Sequence, residues 1–278
     1  MLNYVLRAKQ FKAKKSLGQN FLVSQEIIDF IANLAHKEDE ILEIGAGLGF
    51  VTEKLIEKSK FVTALEIDKS AIKILNKNLS KFENFKLVEK DILKTNIDEL
   101  GFSNDKITII ANIPYYITSP IIVHLLGEID DENYSNRKRI KEINLMVQKE
   151  VAQRIVATPN SKNKEYGALS ILSQMWAEVE IIKDVPKKCF MPSPKVDSAI
   201  VNFKIKSTPK TKITRLLKRT VKAIFSSRRK NIKNSLQQAG FLEVEKVLSN
   251  LNMSVQTRGE TLSVEEISAL SVALEEFN

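Results

Sequence analysis

Cysteine and histidine are scarce in this chain. Of its 278 residues one is a cysteine, Cys189, and two are histidines, His36 and His124. A single thiol excludes an internal disulfide and a cysteine-based zinc site. The two imidazoles lie far apart in sequence and read as structural or solvated groups, so no metal is expected. Long apolar runs are also lacking, and none approaches the roughly 18 residues that span a bilayer. The stretch from Met1 to Lys15 is basic but has no apolar core of the kind a secretory signal carries. These absences lead us to expect a cytoplasmic protein in a reducing compartment, with no membrane association. There is no internal repeat and no low-complexity block.

What is present is ordinary globular composition, 43% hydrophobic and 28% charged, in a chain long enough for one large core and a smaller domain. The net charge of +9 points to a polyanionic partner, nucleic acid before membrane. The alternative is a lysine-rich, well-solvated surface.

Apolar periodicity gives strands at Ile41–Ile44, Phe61–Glu66, Phe85–Glu89, Ile107–Ala111 and Ile143–Val147. It gives helices at Ser24–Ala35, Phe50–Lys58, Lys69–Leu79, Lys149–Ala157 and Ala168–Trp176, with Pro120 in the first turn of another. Alternating strands and helices imply an α/β fold with a mostly parallel sheet covered on both faces. Val179–Ile182 and Ser198–Ile205 read as a late strand pair forming an antiparallel edge. After a linker at Ser207–Lys210 the pattern turns helical, with Ile213, Leu216, Leu217, Val221 and Ile224 on one face. The capping-box pattern Ser263-Val264-Glu265-Glu266 opens the last helix. The expected domains are 1–207 and a small all-helical one, 208–278.

Four strand ends carry chemistry. Glu43-Ile44-Gly45-Ala46-Gly47-Leu48-Gly49 joins a strand to a helix through glycines spaced G-x-G-x-G, not G-x-G-x-x-G, so a dinucleotide is not specifically implied. Glu66 ends the second strand, where an acid accepts from ribose hydroxyls. Asp91 ends the third, placed to accept from an adenine amino group while the Ile92 N–H meets a ring nitrogen. Taken singly, Glu66 and Asp68 also read as helix-capping charges and Asp91 as a turn residue. As an ordered set, with Asn112 on the fourth strand end, they fit S-adenosylmethionine.

Asn112-Ile113-Pro114-Tyr115 suits an attack by an aromatic amine. Such an amine is a poor nucleophile because its lone pair is delocalised into the ring. Acceptors on its two N–H bonds, the Asn112 side-chain oxygen and the Ile113 carbonyl, favour a geometry that frees the lone pair. Pro114 stiffens the backbone that aims the carbonyl, and Tyr115 offers a stacking face. The plainer reading is a strand ending in a proline turn.

With these motifs in place, the sequence resembles the class I S-adenosylmethionine-dependent rRNA adenine N6,N6-dimethyltransferases over nearly its whole length, nearest to the small-subunit branch. Further matches are Lys15-Ser16-Leu17-Gly18-Gln19-Asn20-Phe21-Leu22, Gln148–Arg154, Phe190–Ser198, Phe225–Lys230 and Arg258–Ser263. Many relatives carry proline where this chain has Ala46 and Gly259. The resemblance implies a class I methyltransferase (Rossmann-like) sheet and a helical C-terminal domain. It implies transfer of methyl groups from S-adenosylmethionine to two adjacent adenosines in the 3′-terminal hairpin loop of 16S rRNA, in small-subunit biogenesis; nothing in the sequence argues against a monomer. It adds Asn20 and Leu22 to a cofactor site of Gly45, Gly47, Glu66, Asp91, Ile92 and Asn112, and makes Phe190 a second aromatic wall opposite Tyr115. From the residues alone Phe190 reads as core. Lys12, Lys14 and Lys15 at the N-terminus and Arg228, Arg229 and Lys230 are candidate phosphate contacts. The large-subunit rRNA dimethyltransferases, a DNA adenine methyltransferase and a non-catalytic nucleic-acid-binding factor on the same scaffold are the alternatives.

Overall fold

The computed structural model describes residues 4–161, 165–226 and 230–278. The chain runs α1 (Tyr4–Gln10), β1 (Phe21–Leu22), α2 (Gln25–Ala32), β2 (Glu40–Ile44), α3 (Phe50–Lys58), β3 (Phe61–Glu66), α4 (Lys69–Leu79) and β4 (Phe85–Glu89). There follow β5 (Ile107–Asn112), α5 (Thr118–Leu126), α6 (Ser135–Lys138), β6 (Ile140–Gln148), α7 (Lys149–Val156), α8 (Ala168–Trp176), β7 (Ala177–Val185), β8 (Phe190–Met191) and β9 (Ser198–Ile205). The last helices are α9 (Leu217–Phe225), α10 (Ile232–Gln238), α11 (Val244–Asn250) and α12 (Val264–Glu275).

Seven strands form one sheet in the order β4-β3-β2-β5-β6-β9-β7. The pairings from β4 through β6 are parallel, and β9 runs antiparallel to β6. Every residue of β2 is buried, and so are the first five of β5. That matches central strands covered on both faces, where apolar runs need not alternate. The connections after β2 lead outward through β3 to β4, whereas β5 returns to the other side of β2. The β2–β5 boundary is therefore the topological switch point, where open α/β sheets form their ligand crevice.

The short pair β1–β8, with Leu22 opposite Phe190, forms a separate two-stranded sheet. Two residues are too few to show a strand period, so neither strand was apparent in the sequence. Helix α1 was also unexpected; it buries Tyr4 and Ala8, and Tyr4 packs on Phe50 with ring centroids 4.8 Å apart.

The chain divides into two compact units: Met1–Leu125 with Ser135–Ala152 and Glu180–Ile205, and Leu126–Tyr134 with Gln153–Val179 and Lys206–Asn278. The last stretch of the second unit is Lys206–Asn278. The second unit also takes in 126–134 and 153–179, which lie inside the strand-and-helix alternation and so carry no compositional break. Its helices bury Leu217, Val221, Ile224, Leu236, Leu248, Ile267 and Leu270. The Ser263–Glu266 capping box opens α12, with both reciprocal hydrogen bonds made. A Cβ at Gly259 would lie 2.8 Å from the Ile224 carbonyl oxygen, so glycine suits this approach.

Gly49 starts α3 with φ +79, and a Cβ there would lie 2.8 Å from Leu75 Cδ2 on α4. The leucine tip can yield, but the left-handed backbone cannot be relieved. Gly49→Ala should cost about 1–2 kcal/mol, read as a lowered midpoint in thermal unfolding.

Candidate functional site

A cavity with about 130 Å³ of room for water-molecule centres opens at the C-terminal ends of β2, β3 and β5. Its wall includes Asn20, Leu22, Gly45, Gly47, Glu66, Asp91, Ile92, Asn112, Ile113, Pro114 and Tyr115. The sheet thus brings the four motif-bearing strand ends together.

The glycine loop leaves β2 with the Gly45 N–H donating to Leu65 O at 2.9 Å, which ties it to the end of β3. Gly47 has φ +55, and a Cβ there would meet the Phe21 ring at 3.2 Å. Any side chain at this position would crowd the cavity wall and strain the turn. The Gly47 N–H donates to Glu66 Oε2 at 2.8 Å. Glu66 Oε1 accepts from the Ile67 and Asp68 N–H groups at 2.7 and 2.8 Å. Three backbone donors therefore fix this buried carboxylate, and lone pairs remain for further donors.

Asp68 repeats the device one step outward. It caps α4 by accepting from the Ser70 N–H at 2.9 Å. It also accepts from Lys14 Nζ at 2.5 Å and from Gln19 Nε2 at 2.7 Å. The Lys14 N–H in turn donates to Gln19 Oε1 at 2.8 Å. The segment carrying Gly18, Gln19 and Asn20 is thereby pinned along the cavity. On its far side Gly18 approaches Pro114 and the exposed Tyr116, whose atoms would lie 3.2 and 3.3 Å from a Cβ at that position.

Asp91 Oδ1 accepts from the Leu93 N–H at 3.0 Å and opens a turn containing the buried Ile92. Asn112 ends β5 half-buried, opposite Met146, and its side chain makes no hydrogen bond among the described residues. Pro114 has φ −58 and accepts from the Ile117 N–H through its carbonyl at 3.2 Å. The Tyr115 hydroxyl is 2.7 Å from Ser198 Oγ of β9. Burial pushes the Tyr115 phenol up, against a lowering by that hydrogen bond, so the ring stays neutral across the physiological range.

Phe190 is placed elsewhere. It is 2% exposed, opposite Leu22 in the β1–β8 pair, and is not part of the cavity wall. Lys14 directs its ammonium to Asp68. Lys15 begins a single 3₁₀ turn, Lys15–Leu17. Lys230 is exposed and donates to Gln238 Oε1 at 2.6 Å. Arg228 and Arg229 lie outside the described residues. Neither histidine lines the cavity, and among the described residues no cluster suits a metal ion.

Sequence reasoning missed Glu43, which is 4% exposed and lines the cavity below the glycine loop. Burial pushes its carboxyl up to about 7, aided by the charge of Glu66; the Thr52 hydroxyl works against this, although its oxygen makes no hydrogen bond of ordinary geometry. It also missed Ser198 as the partner of Tyr115, and Ile67, an exposed apolar residue on the cavity wall. An acid inside an apolar strand pattern was the available signal for Glu43.

The family model for ribosomal RNA adenine dimethylase matches residues 10–270. The chain belongs to that family. The ribosomal RNA small subunit methyltransferase A of Clostridium botulinum (strain Loch Maree / Type A3) is 39% identical, with 96% of each chain covered. The protein of that name from Clostridioides difficile (strain 630) is 40% identical, covering 96% of this chain and 92% of its own. Among solved structures, a dimethyladenosine transferase from Plasmodium falciparum is 26% identical with a TM-score of 0.75, covering 91% of this chain and 96% of that one. The 23S rRNA methyltransferase ErmE is 25% identical with a TM-score of 0.66, covering 92% and 100%. The family's enzymatic character and the mostly parallel sheet agree with the expectations from sequence.

The Asp68 node predicts a pH effect. Although burial works to raise it, hydrogen bonds from Lys14, Gln19 and Ser70 hold the Asp68 carboxyl below its ordinary value. Its stabilisation is therefore present above the unfolded-state value, about 3.9, and is lost as pH falls through the lower folded-state value. Asp68→Ala should cost about 2 kcal/mol at neutral pH, and chemical denaturation below pH 4 should show the two proteins converging.

Proposed function

We propose that this protein transfers methyl groups from S-adenosylmethionine to N6 of two adjacent adenosines in the 3′-terminal hairpin loop of small-subunit (16S) rRNA. The observation that carries this reading is the convergence of Gly47, Glu66, Asp91, Asn112 and Tyr115 on one cavity wall. Relatives named for the small subunit, at 39–40% identity over nearly the whole chain, support the choice of RNA.

The cavity fits the cofactor. Gly45 and Gly47 let the backbone come close to an amino-acid tail and ribose, and a Cβ at Gly47 would instead strike Phe21. Glu66, already fixed by three N–H donors, would receive the ribose hydroxyls, and Asp91 with Ile92 the adenine edge. Asn20 and Leu22 would close the remaining side. When bound, S-adenosylmethionine supplies an electrophilic methyl on a sulfonium, already activated for transfer.

The chain's own residues position the acceptor. The Asn112 amide oxygen and the Ile113 carbonyl would accept the two N6–H bonds and leave the nitrogen lone pair facing the methyl. Orientation of this kind provides most of the rate in a bimolecular transfer. The amine is barely basic, so its proton leaves after methylation and no dedicated base is needed. Tyr115, steadied by Ser198, would stack on an adenine taken out of its RNA stack, as enzymes acting on bases require. Phe190 enters as the opposite wall on the family resemblance alone, and from its buried place it reaches a base only if β8 yields. Lys12, Lys15, Arg228, Arg229 and Lys230 are the proposed phosphate contacts; the ammonium of Lys14, expected among them, is instead engaged by Asp68.

The direct test is transfer of labelled methyl groups to undermethylated small subunits, large-subunit RNA and duplex DNA, with nucleoside mass analysis. N6,N6-dimethyladenosine formed with the small subunit alone is expected; label in large-subunit RNA would move the protein to the other branch. Asn112→Ala should lower turnover by at least about 100-fold with cofactor binding retained. Tyr115→Phe should keep most activity and Tyr115→Ala should lose it. Phe190→Leu separates its two roles: a wall residue lowers turnover at an unchanged unfolding midpoint, whereas a purely packing residue leaves turnover intact.

A further inference from the structure

Glu43 has no part in the proposed transfer, yet it lines the cavity. It faces the cavity from β2, and it also lines a second, smaller void with Asn112, Asn144, Val51 and Ile110. Its Oε2 is buried and accepts no hydrogen bond among the described residues. A buried carboxylate without a counter-charge is disfavoured, so the group keeps its proton to a higher pH than an ordinary carboxyl and gives it up more readily once a cation arrives. Among the described residues no cation acts on it. Asp29 of α2 and Glu53 and Lys54 of α3 sit on the outer, partly exposed parts of those helices, while Lys90 and Asp91 line the cavity further out. Glu66 is the charge that acts on Glu43, and it opposes ionisation.

The missing counter-charge matches a difference between the two ligands of the proposed reaction. S-Adenosylmethionine carries a sulfonium, whereas its product, S-adenosylhomocysteine, carries a neutral thioether. We propose that Glu43 distinguishes the two: it releases its proton to solvent when the sulfonium ligand binds and takes one back when the thioether is left, so that cofactor is held in preference to spent product. The inference rests on the cofactor reading given above. In the transfer, the methyl–sulfur bond breaks with its electron pair going to sulfur, the carbon–nitrogen bond forms, and the N6 proton leaves to solvent. Glu43 acquires a proton from solvent separately, because the adjacent positive charge has gone.

The test is titration calorimetry of the full chain at pH 7 in buffers of low and high ionisation enthalpy, with each ligand in turn. With the carboxyl poised at about 7, up to about half a proton should be released per S-adenosylmethionine bound and none per S-adenosylhomocysteine. E43Q should abolish the release and shrink the preference for the sulfonium ligand about 10-fold. The proton count on the unaltered chain stands by itself if E43Q does not fold. Equal release with both ligands would assign the effect to the ammonium they share and overturn the inference. Binding of S-adenosylmethionine with no release would also overturn it, while leaving the cofactor reading intact. Failure of both ligands to bind would overturn the cofactor reading and the inference with it.

Discussion

The Glu66 carboxylate is the constraint on which the site depends. Its two oxygens collect N–H groups from the glycine loop and from the turn after β3. An ionised acceptor makes these bonds stronger than neutral ones, and it does so in a buried place where an unmet donor would be costly. The turn that holds Glu66 also places Asp68, which binds Lys14 and Gln19. Two successive acids thus join three segments distant in sequence: the N-terminal strap, the glycine loop and the end of β3.

The sheet determines where this assembly sits. At the β2–β5 boundary the helices that follow the two strands lead away to opposite sides, and a crevice remains over the strand ends. Asn112 and the rigid turn at Pro114 lie there because β5 stops at that level. The result is a wall of acceptors, fixed before any ligand arrives, with the buried Glu43 beneath it. That combination suits a reaction whose difficulty is orientation rather than proton transfer.

Much of this was legible in the sequence. Helices α3, α4 and α8 and strands β3 and β4 have the limits that periodicity predicts, because each is bounded by glycine, aspartate or a polar run. Strand β6 runs from Ile140 to Gln148 rather than from Ile143, since its polar first residues break the apolar pattern without breaking the pairing. Ser24 precedes α2 as expected but makes no side-chain capping bond, and the helix ends at Ala32. The motif acids were visible because they terminate strands. Glu43 was passed over: an acid inside an apolar strand was the signal, but only the closed sheet shows that it is buried at the cavity. Ser198, 83 residues from Tyr115, was hidden for the same reason. The units were partly hidden too, because the second is assembled from three separated stretches.

The measurement that bears most directly on this account is calorimetric binding of S-adenosylmethionine to the unaltered chain and to Glu66→Ala. If Glu66 both receives the ribose and fixes the glycine loop, the substitution should weaken binding by about 100-fold or more, the scale of two lost charge-assisted hydrogen bonds. Binding of equal affinity in the two proteins would contradict it.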